Sequence, residues 1–223
     1  QARPRGGAQP DASDGEPRGE GESRRAHRTK MLILSIETSC DETAVAILEA
    51  KGGKRSPHIA VLGNALYSQA AVHAKYGGVF PTLAKREHRR NLTPLLLQAL
   101  TEAGLLETIK APTLGQNVKI RALLEHAPEL LAALEQFLPT IKRPPINYIA
   151  VTYGPGLEPA LWTGINFAHT LAAVWNIPVI PVDHMEGHMA SALLRREKAT
   201  APNALPYKLH IPDFPALALL VSG

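Results

Sequence analysis

Two stretches in the second half of this chain leave little freedom in how it folds. Ile146 to Tyr153 (INYIAVTY) is an apolar run that reads as a buried strand, and it ends in the turn Gly154-Pro155-Gly156-Leu157 ahead of a helical stretch, Ala160 to Trp175. Ile177 to Val182 is a second apolar run, followed by a helical stretch from Met185 to Arg195 with Asp183 placed to cap it. Strand, helix, strand, helix in that order predicts parallel pairing with right-handed crossovers. Ligands are then expected at the carboxyl ends of the strands, where the Gly-Pro-Gly turn and the residues after Asp183 both fall.

The first half reads differently. Met31 to Glu37 (MLILSIE) is a short apolar run expected to be a buried strand, and Thr43 to Glu49 follows after the turn Thr38-Ser39-Cys40-Asp41-Glu42. Gly52-Gly53 marks the next turn, and roughly Ile59 to Tyr67 completes an antiparallel start of three strands. A shaped loop with Gly77, Gly78 and Pro81 precedes a helix from about Thr82 to Leu105, in which Pro94 should mark a kink or a break. Between Glu107 and Pro145, apolar residues at helical spacing from Val118 to Leu138 predict one or two inserted helices that serve packing. The expected class is α/β, a mixed sheet with flanking helices.

Composition sets the outer limits. The opening segment, residues 1–30, has no aliphatic side chain larger than alanine, so it cannot offset its ordering entropy and is expected to be a disordered tail. A single cysteine, Cys40, excludes an internal disulfide framework and fits a reducing, cytoplasmic setting. No apolar run approaches the ~20 residues of a membrane span. The net charge of +4 is mildly favourable to a polyanionic partner and equally common in proteins that never meet one.

The chemistry-bearing residues concentrate in four places. His184 and His188 stand four apart, so both imidazoles leave one helix face and can offer two ligands to a divalent metal; solvated or capping histidines share that spacing. A zinc-protease helix would carry glutamate directly after the first histidine, where this chain has Met185. Asp41 and Glu42 at the first hairpin tip suit a phosphate or metal site, or a plain tight turn. Gly154 and Gly156 precede a helix whose N-terminus suits an anion, although glycines there also serve close packing. Lys85, Arg86, His88, Arg89 and Arg90 gather positive charge, for a solvated face or for phosphate contact.

Taken together, IETSCDETAVAI (Ile36 to Ile47), KYGGVFPTLAKREH (Lys75 to His88), AVTYGPGL (Ala150 to Leu157) and PVDHMEGHMASAL (Pro181 to Leu193) resemble the amino-terminal lobe of the TsaD/Gcp/Kae family. Its members are tRNA N6-adenosine threonylcarbamoyltransferases with a two-lobed, actin-like (ASKHA) fold. The resemblance implies transfer of a threonylcarbamoyl group from threonylcarbamoyl-AMP to N6 of adenosine 37 in tRNAs reading codons that begin with A. It implies one divalent metal on His184 and His188, iron (Fe2+) foremost with zinc (Zn2+) as the alternative, and a catalytic role for Asp41 and Glu42. Leu220, Val221, Ser222 and Gly223 match the start of a substrate-contacting LVSGGHT loop. Gly154 and Gly156 are expected near the nucleotide, and Lys85, Arg86, Arg89 and Arg90 near tRNA. The implied partners are tRNA, a TsaB-like paralogue and, in a bacterium, a TsaE-like ATPase.

The sequence departs from the family at Glu158-Pro159, where small residues are usual, and it stops inside the LVSGGHT loop. The expected organisation is a tail over residues 1–30, a lobe over 31–214 with a helical insertion at about 107–145, and the first strand of a truncated second lobe over 215–223. Two other readings stay open: an inactive fragment or scaffold of the same family, and an actin-like kinase or ATPase. Neither a kinase nor the family's shorter paralogue accounts for the histidine pair.

Overall fold

The computed structural model describes residues 30–52, 57–109, 118–198 and 205–209. The expectations for residues 1–29 and for Leu220, Val221, Ser222 and Gly223 lie outside the described residues, as does the strand expected over 215–223.

The chain opens as an antiparallel meander of β1 (Met31–Glu37), β2 (Glu42–Lys51) and β3 (His58–Ser68). A short helix, α1 (Ala70–His73), and a 3-10 turn at Ala74–Tyr76 lead to the long α2 (Pro81–Glu102). Two smaller helices follow, α3 (Val118–Leu123) and α4 (Pro128–Phe137). The predicted crossover unit is then observed as β4 (Tyr148–Gly154), α5 (Glu158–Trp175), β5 (Val179–Asp183) and α6 (His184–Leu193). β1, β4 and β5 run parallel, and with β6 (Leu194–Arg196) and β7 (Leu205–Leu209) the strands among the described residues form one mixed sheet in the order β5-β4-β1-β2-β3-β7-β6. This is the mixed sheet with flanking helices that the sequence predicts.

Packing is one-sided. On β1 only Leu32, Leu34 and Ile36 are buried, whereas the alternate positions Ile33, Ser35 and Glu37 are partly exposed. MLILSIE, read as a buried strand, alternates between buried and partly exposed positions, as a strand with one covered face does. The covered face joins Val45, Ile47, Ile149 and Val151 to Leu92, Leu96 and Leu100 of α2 and to Phe167 and Leu171 of α5. On the other face a shallow cleft of about 170 Å³ is lined by Ser35, Glu37, Ala44, Ala46, Ala150 and Thr152, among others.

The inserted helices belong to the same core. Leu124, Leu130 and Leu134 are all but fully buried against it. Each such side chain contributes about 1.5–3 kcal/mol of burial, so the insertion helps to hold the sheet's helical layer together. Pro94 does not break α2, which runs unbroken from Pro81 to Glu102. Burial of Leu92, Leu95, Leu96 and Ala99 on both sides of the proline outweighs the one backbone hydrogen bond it forfeits.

Two stretches differ from the sequence reading. The helix carrying the histidines ends at Leu193 rather than Arg195, because Leu194–Arg196 is recruited as β6. Leu205–Leu209, which is not among the strands read from the sequence, forms β7, which pairs with both β6 and the edge of β3. Tertiary pairing overrides local propensity here.

Candidate functional site

The carboxyl ends of β1, β4 and β5 meet at one end of the sheet, and the histidine helix starts there. Asp183 caps α6 as predicted, its carboxylate accepting from the Met185 amide at 2.7 Å and the Glu186 amide at 3.1 Å. Register puts Asp183 beside Gly154 at the end of β4. Capping fixes the first turn, and the four-residue spacing then brings His184 Nε2 and His188 Nε2 to 3.0 Å, with the rings perpendicular.

That convergence fits a shared metal. Two nitrogens bound to one ion at ~2.0–2.1 Å stand roughly 2.9–3.4 Å apart between right-angle and tetrahedral geometry. The other nitrogen of His184, Nδ1, lies 3.4 Å from Glu37 Oε2 and 3.3 Å from Ser39 Oγ. An Nδ1–H donated toward Glu37 leaves the Nε2 lone pair free toward His188, the tautomer a ligand needs. Among the described residues, no group of three or more His, Cys, Asp or Glu side chains is placed to hold a metal. The pair therefore supplies two donors and needs further ones, from elsewhere or from a bound ligand.

Glu37 is the residue that sequence reasoning missed. Burial pushes its carboxyl pKa up, but hydrogen bonds from Ser39 and Thr152, helped by His184, pull it below the ordinary carboxylate value. The Ser39 amide donates to Glu37 Oε1 at 2.5 Å, and the Thr152 hydroxyl donates to Oε2. Glu37 is thus a fixed anion facing His184. The available signal was an acidic residue closing an otherwise apolar strand.

The acidic pair lies at the first hairpin tip, between β1 and β2, where the sequence places it. Asp41 is half-buried and Glu42 exposed at the start of β2, and among the described residues neither carboxylate pairs with His184 or His188. The carboxylate that faces the first histidine is Glu37. What the structure fixes at this tip is backbone: His88 Nε2 donates to the Cys40 carbonyl at 3.0 Å, and the Gln69 amide donates to the Asp41 carbonyl at 2.9 Å. Burial, first, and the nearby Asp41 push the Cys40 thiol pKa up, so this lone cysteine is no activated nucleophile.

The Gly-Pro-Gly turn packs against the same tip. A Cβ at Gly156 would stand 2.6 Å from the Ser39 carbonyl oxygen, and one at Gly164 would stand 2.3 Å from Thr38 Oγ1. Only glycine lets β4 and α5 approach Thr38 and Ser39 so closely. The expected anion site at the start of α5 is corrected by its own amides. Leu157 N–H already donates to Ser39 O at 2.7 Å, Pro159 has no N–H, and Ala160 N–H closes onto Leu157 O. Glu158 adds a negative charge in the first turn. Gly154 remains open, with nothing near where its Cβ would be.

The basic residues of α2 do not form one uniform face. His88 is wholly buried and belongs to no positive surface. Arg86 and Arg90 both reach Glu87 at 3.4 Å, and Arg90 also approaches Glu129 at 3.9 Å. Lys85 and Arg89 instead line a cleft of about 460 Å³ shared with Leu123, Glu158, Trp162 and Asn166. Arg89 Nε is buried there without a partner among the described residues, and desolvation lowers the guanidinium pKa against the pull of Glu129.

No helix among the described residues is long and apolar enough to cross a membrane. Of solved structures, YeaZ from Pseudomonas aeruginosa is similar at 15% identity with a TM-score of 0.37, over 82% of this chain and 62% of that one. A protein described as uncharacterized, with similarity to peptidase YEAZ from Pseudomonas aeruginosa, gives 16% identity, a TM-score of 0.37 and coverages of 82% and 61%. This chain thus spans less than two thirds of the length of either structure. The family model described as TsaD: tRNA N6-adenosine threonylcarbamoyltransferase matches residues 60–111 and 121–223, which include the histidine helix, most of α2 and the Gly-Pro-Gly turn. The chain belongs to the TsaD family of tRNA N6-adenosine threonylcarbamoyltransferases.

Proposed function

We propose that this chain carries part of the active site for transfer of a threonylcarbamoyl group from threonylcarbamoyl-AMP to N6 of adenosine 37 in tRNAs reading codons that begin with A. The observation that carries this reading is the convergence of His184 Nε2 and His188 Nε2 at 3.0 Å, with Glu37 behind His184, in a chain of this family.

In the proposed reaction the N6 amine of adenosine attacks the carbonyl carbon of the threonylcarbamoyl group. The mixed-anhydride bond to phosphate breaks, AMP leaves, and one proton is released from nitrogen. Because the donor is already activated, the protein's task is positioning and charge stabilisation. His184 and His188 would hold one divalent ion, Fe2+ by preference and Zn2+ as the alternative. That ion would supply Lewis-acid polarisation of the carbonyl. Glu37 orients His184 by accepting from Nδ1, and Ser39 and Thr152 orient Glu37. Asp41 or Glu42 takes the amine proton. Gly154, together with Leu220, Val221, Ser222 and Gly223, contacts the nucleotide, and Lys85 and Arg89 contact tRNA phosphates with Arg86 and Arg90 at the margin. A TsaB-like paralogue and, in a bacterium, a TsaE-like ATPase would assemble with the chain in the cytoplasm.

A second reading rests on the two-donor count: the chain serves as an inactive fragment or scaffold. The test is full-chain protein assayed with its partners, tRNA and threonylcarbamoyl-AMP, with N6-threonylcarbamoyladenosine detected in digested tRNA by mass spectrometry. Product that disappears in the Asp41→Ala/Glu42→Ala variant, with the fold retained, supports the enzyme reading. Activity unchanged by that variant sinks the acidic pair's role, and no product with wild-type protein favours the scaffold.

A further inference from the structure

A second set of histidines lies on the covered face of the sheet, and nothing in the proposed reaction uses it. Gln69, His73, His88 and Thr43 are at most 3% exposed, in a region that otherwise buries apolar side chains. Every polar atom linking them has a partner, and backbone groups at the two ends force all the proton positions. At one end the Phe80 amide, which can only donate, points at His73 Nδ1 from 3.3 Å. His73 therefore carries its proton on Nε2 and donates it to Gln69 Oε1 at 3.0 Å. At the other end the Cys40 carbonyl, which can only accept, receives His88 Nε2–H at 3.0 Å. The His88 Nδ1 lone pair then accepts the Thr43 hydroxyl at 2.8 Å and the Gln69 amide at 3.3 Å. The two assignments meet at Gln69 without conflict. Its carbonyl faces His73, and its NH2 faces His88 and the Ala84 carbonyl at 3.5 Å.

We propose that Gln69, His73 and His88 are positioning residues, forming a one-directional hydrogen-bond relay that ties the exposed turn Tyr76–Phe80 to the backbone of the hairpin tip carrying Asp41 and Glu42. The tip is gripped twice from this side, at the Cys40 carbonyl by His88 and at the Asp41 carbonyl by the Gln69 backbone amide at 2.9 Å. The far end of the relay reaches a surface feature, since Tyr76 and Phe80 are 65% and 54% exposed and their rings stack at 6.0 Å. The Phe80 amide facing His73 Nδ1 and the Gln69 NH2 facing His88 Nδ1 leave each Nδ1 as the acceptor of the relay. Burial lowers the His88 pKa, working against the Cys40 carbonyl, Glu37 and Asp41, which pull it up. The relay stands on geometry alone. Its bearing on transfer rests on the proposed role of Asp41 and Glu42.

Two measurements on the full chain test the relay. Long-range nitrogen–proton NMR correlations on histidine-labelled protein at neutral pH should show His73 and His88 both neutral with the proton on Nε2. The opposite tautomer at either residue overturns the proposal, even if no variant folds. Amide exchange in His88→Leu should then accelerate at Gln69 and at Phe80, by roughly tenfold or more, while amides of β4 keep wild-type protection. His88→Gln, which keeps a donor near the Nε2 position, should restore protection at Gln69. Unchanged exchange at both amides in a folded His88→Leu protein also overturns the proposal. In the transfer assay His88→Leu should lower kcat with the KM for tRNA unchanged, and His88→Gln should recover part of the loss. Faster exchange with undiminished kcat would remove the positioning role. Loss of activity in Asp41→Ala, or its absence, judges the acidic pair and leaves the exchange result untouched.

Discussion

The molecule sets two pairs of histidines in opposite circumstances. His73 and His88 are buried, and every ring nitrogen has a hydrogen-bond partner, with a backbone amide at one end and a backbone carbonyl at the other. His184 and His188 sit on α6, a helix with no buried residue, and their Nε2 atoms face each other. The first arrangement is saturated and can take nothing more. The second brings two Nε2 atoms within hydrogen-bond distance of each other at one accessible point, where an ion could replace the proton between them, with Glu37 behind His184. Burial and saturation mark a histidine that maintains structure; exposure and convergence mark one prepared for a ligand.

The contrast is sharpest when each pair is removed. His184→Ala/His188→Ala should abolish metal binding and reduce transfer by at least about a hundredfold. Its thermal unfolding midpoint should move little, because no residue of α6 is fully buried. His88→Ala should do the reverse to stability, costing about 1–3 kcal/mol, since it removes the partner of the Cys40 carbonyl and of the buried Thr43 hydroxyl. Differential scanning calorimetry of both variants decides this, and a large drop for the α6 variant alone would invert the comparison.

A smaller effect is expected one step back from the ligands. Glu37→Gln keeps the shape and removes the charge facing His184, so metal affinity should fall by roughly 10–100-fold in a binding titration. Unchanged affinity would leave Glu37 a purely structural group. Its depressed pKa also adds stability that is present above the ordinary carboxylate value of 4.5 and lost as pH falls through the folded-state value.

Smallest is the pH dependence of the buried pair. The pKa of His88 is lower in the folded protein than its ordinary 6.5, so below that pH the unfolded chain binds the extra proton first. Its contribution is therefore complete above 6.5 and is lost as pH falls toward the folded-state value. Denaturant titrations from neutral to mildly acidic pH should show this slope in wild type and a flatter one in His88→Gln.

The parallel unit β4–α5–β5, the Asp183 cap and the histidine spacing were legible because each depends on local signals: an apolar run, a capping side chain and a four-residue period. His88 read as one more positive charge on a basic helix, since nothing local reveals that α2 buries it under the hairpin tip. Glu37 escaped notice because its role arises from Thr152 and His184, both more than a hundred residues away. The β6–β7 hairpin was illegible for a related reason, its pairing being supplied by the edge of β3. Gly156 was expected to serve an anion, and only the packed structure shows that Ser39 leaves no room for a side chain there.

The most direct test of the account is metal binding by the full chain, followed by X-ray absorption at the bound ion. Wild-type protein should bind one equivalent of Fe2+ or Zn2+ with two imidazole nitrogens in the first coordination shell, and a folded His184→Ala/His188→Ala variant should bind none. Equal binding by both proteins, or a first shell without two imidazoles, would contradict it.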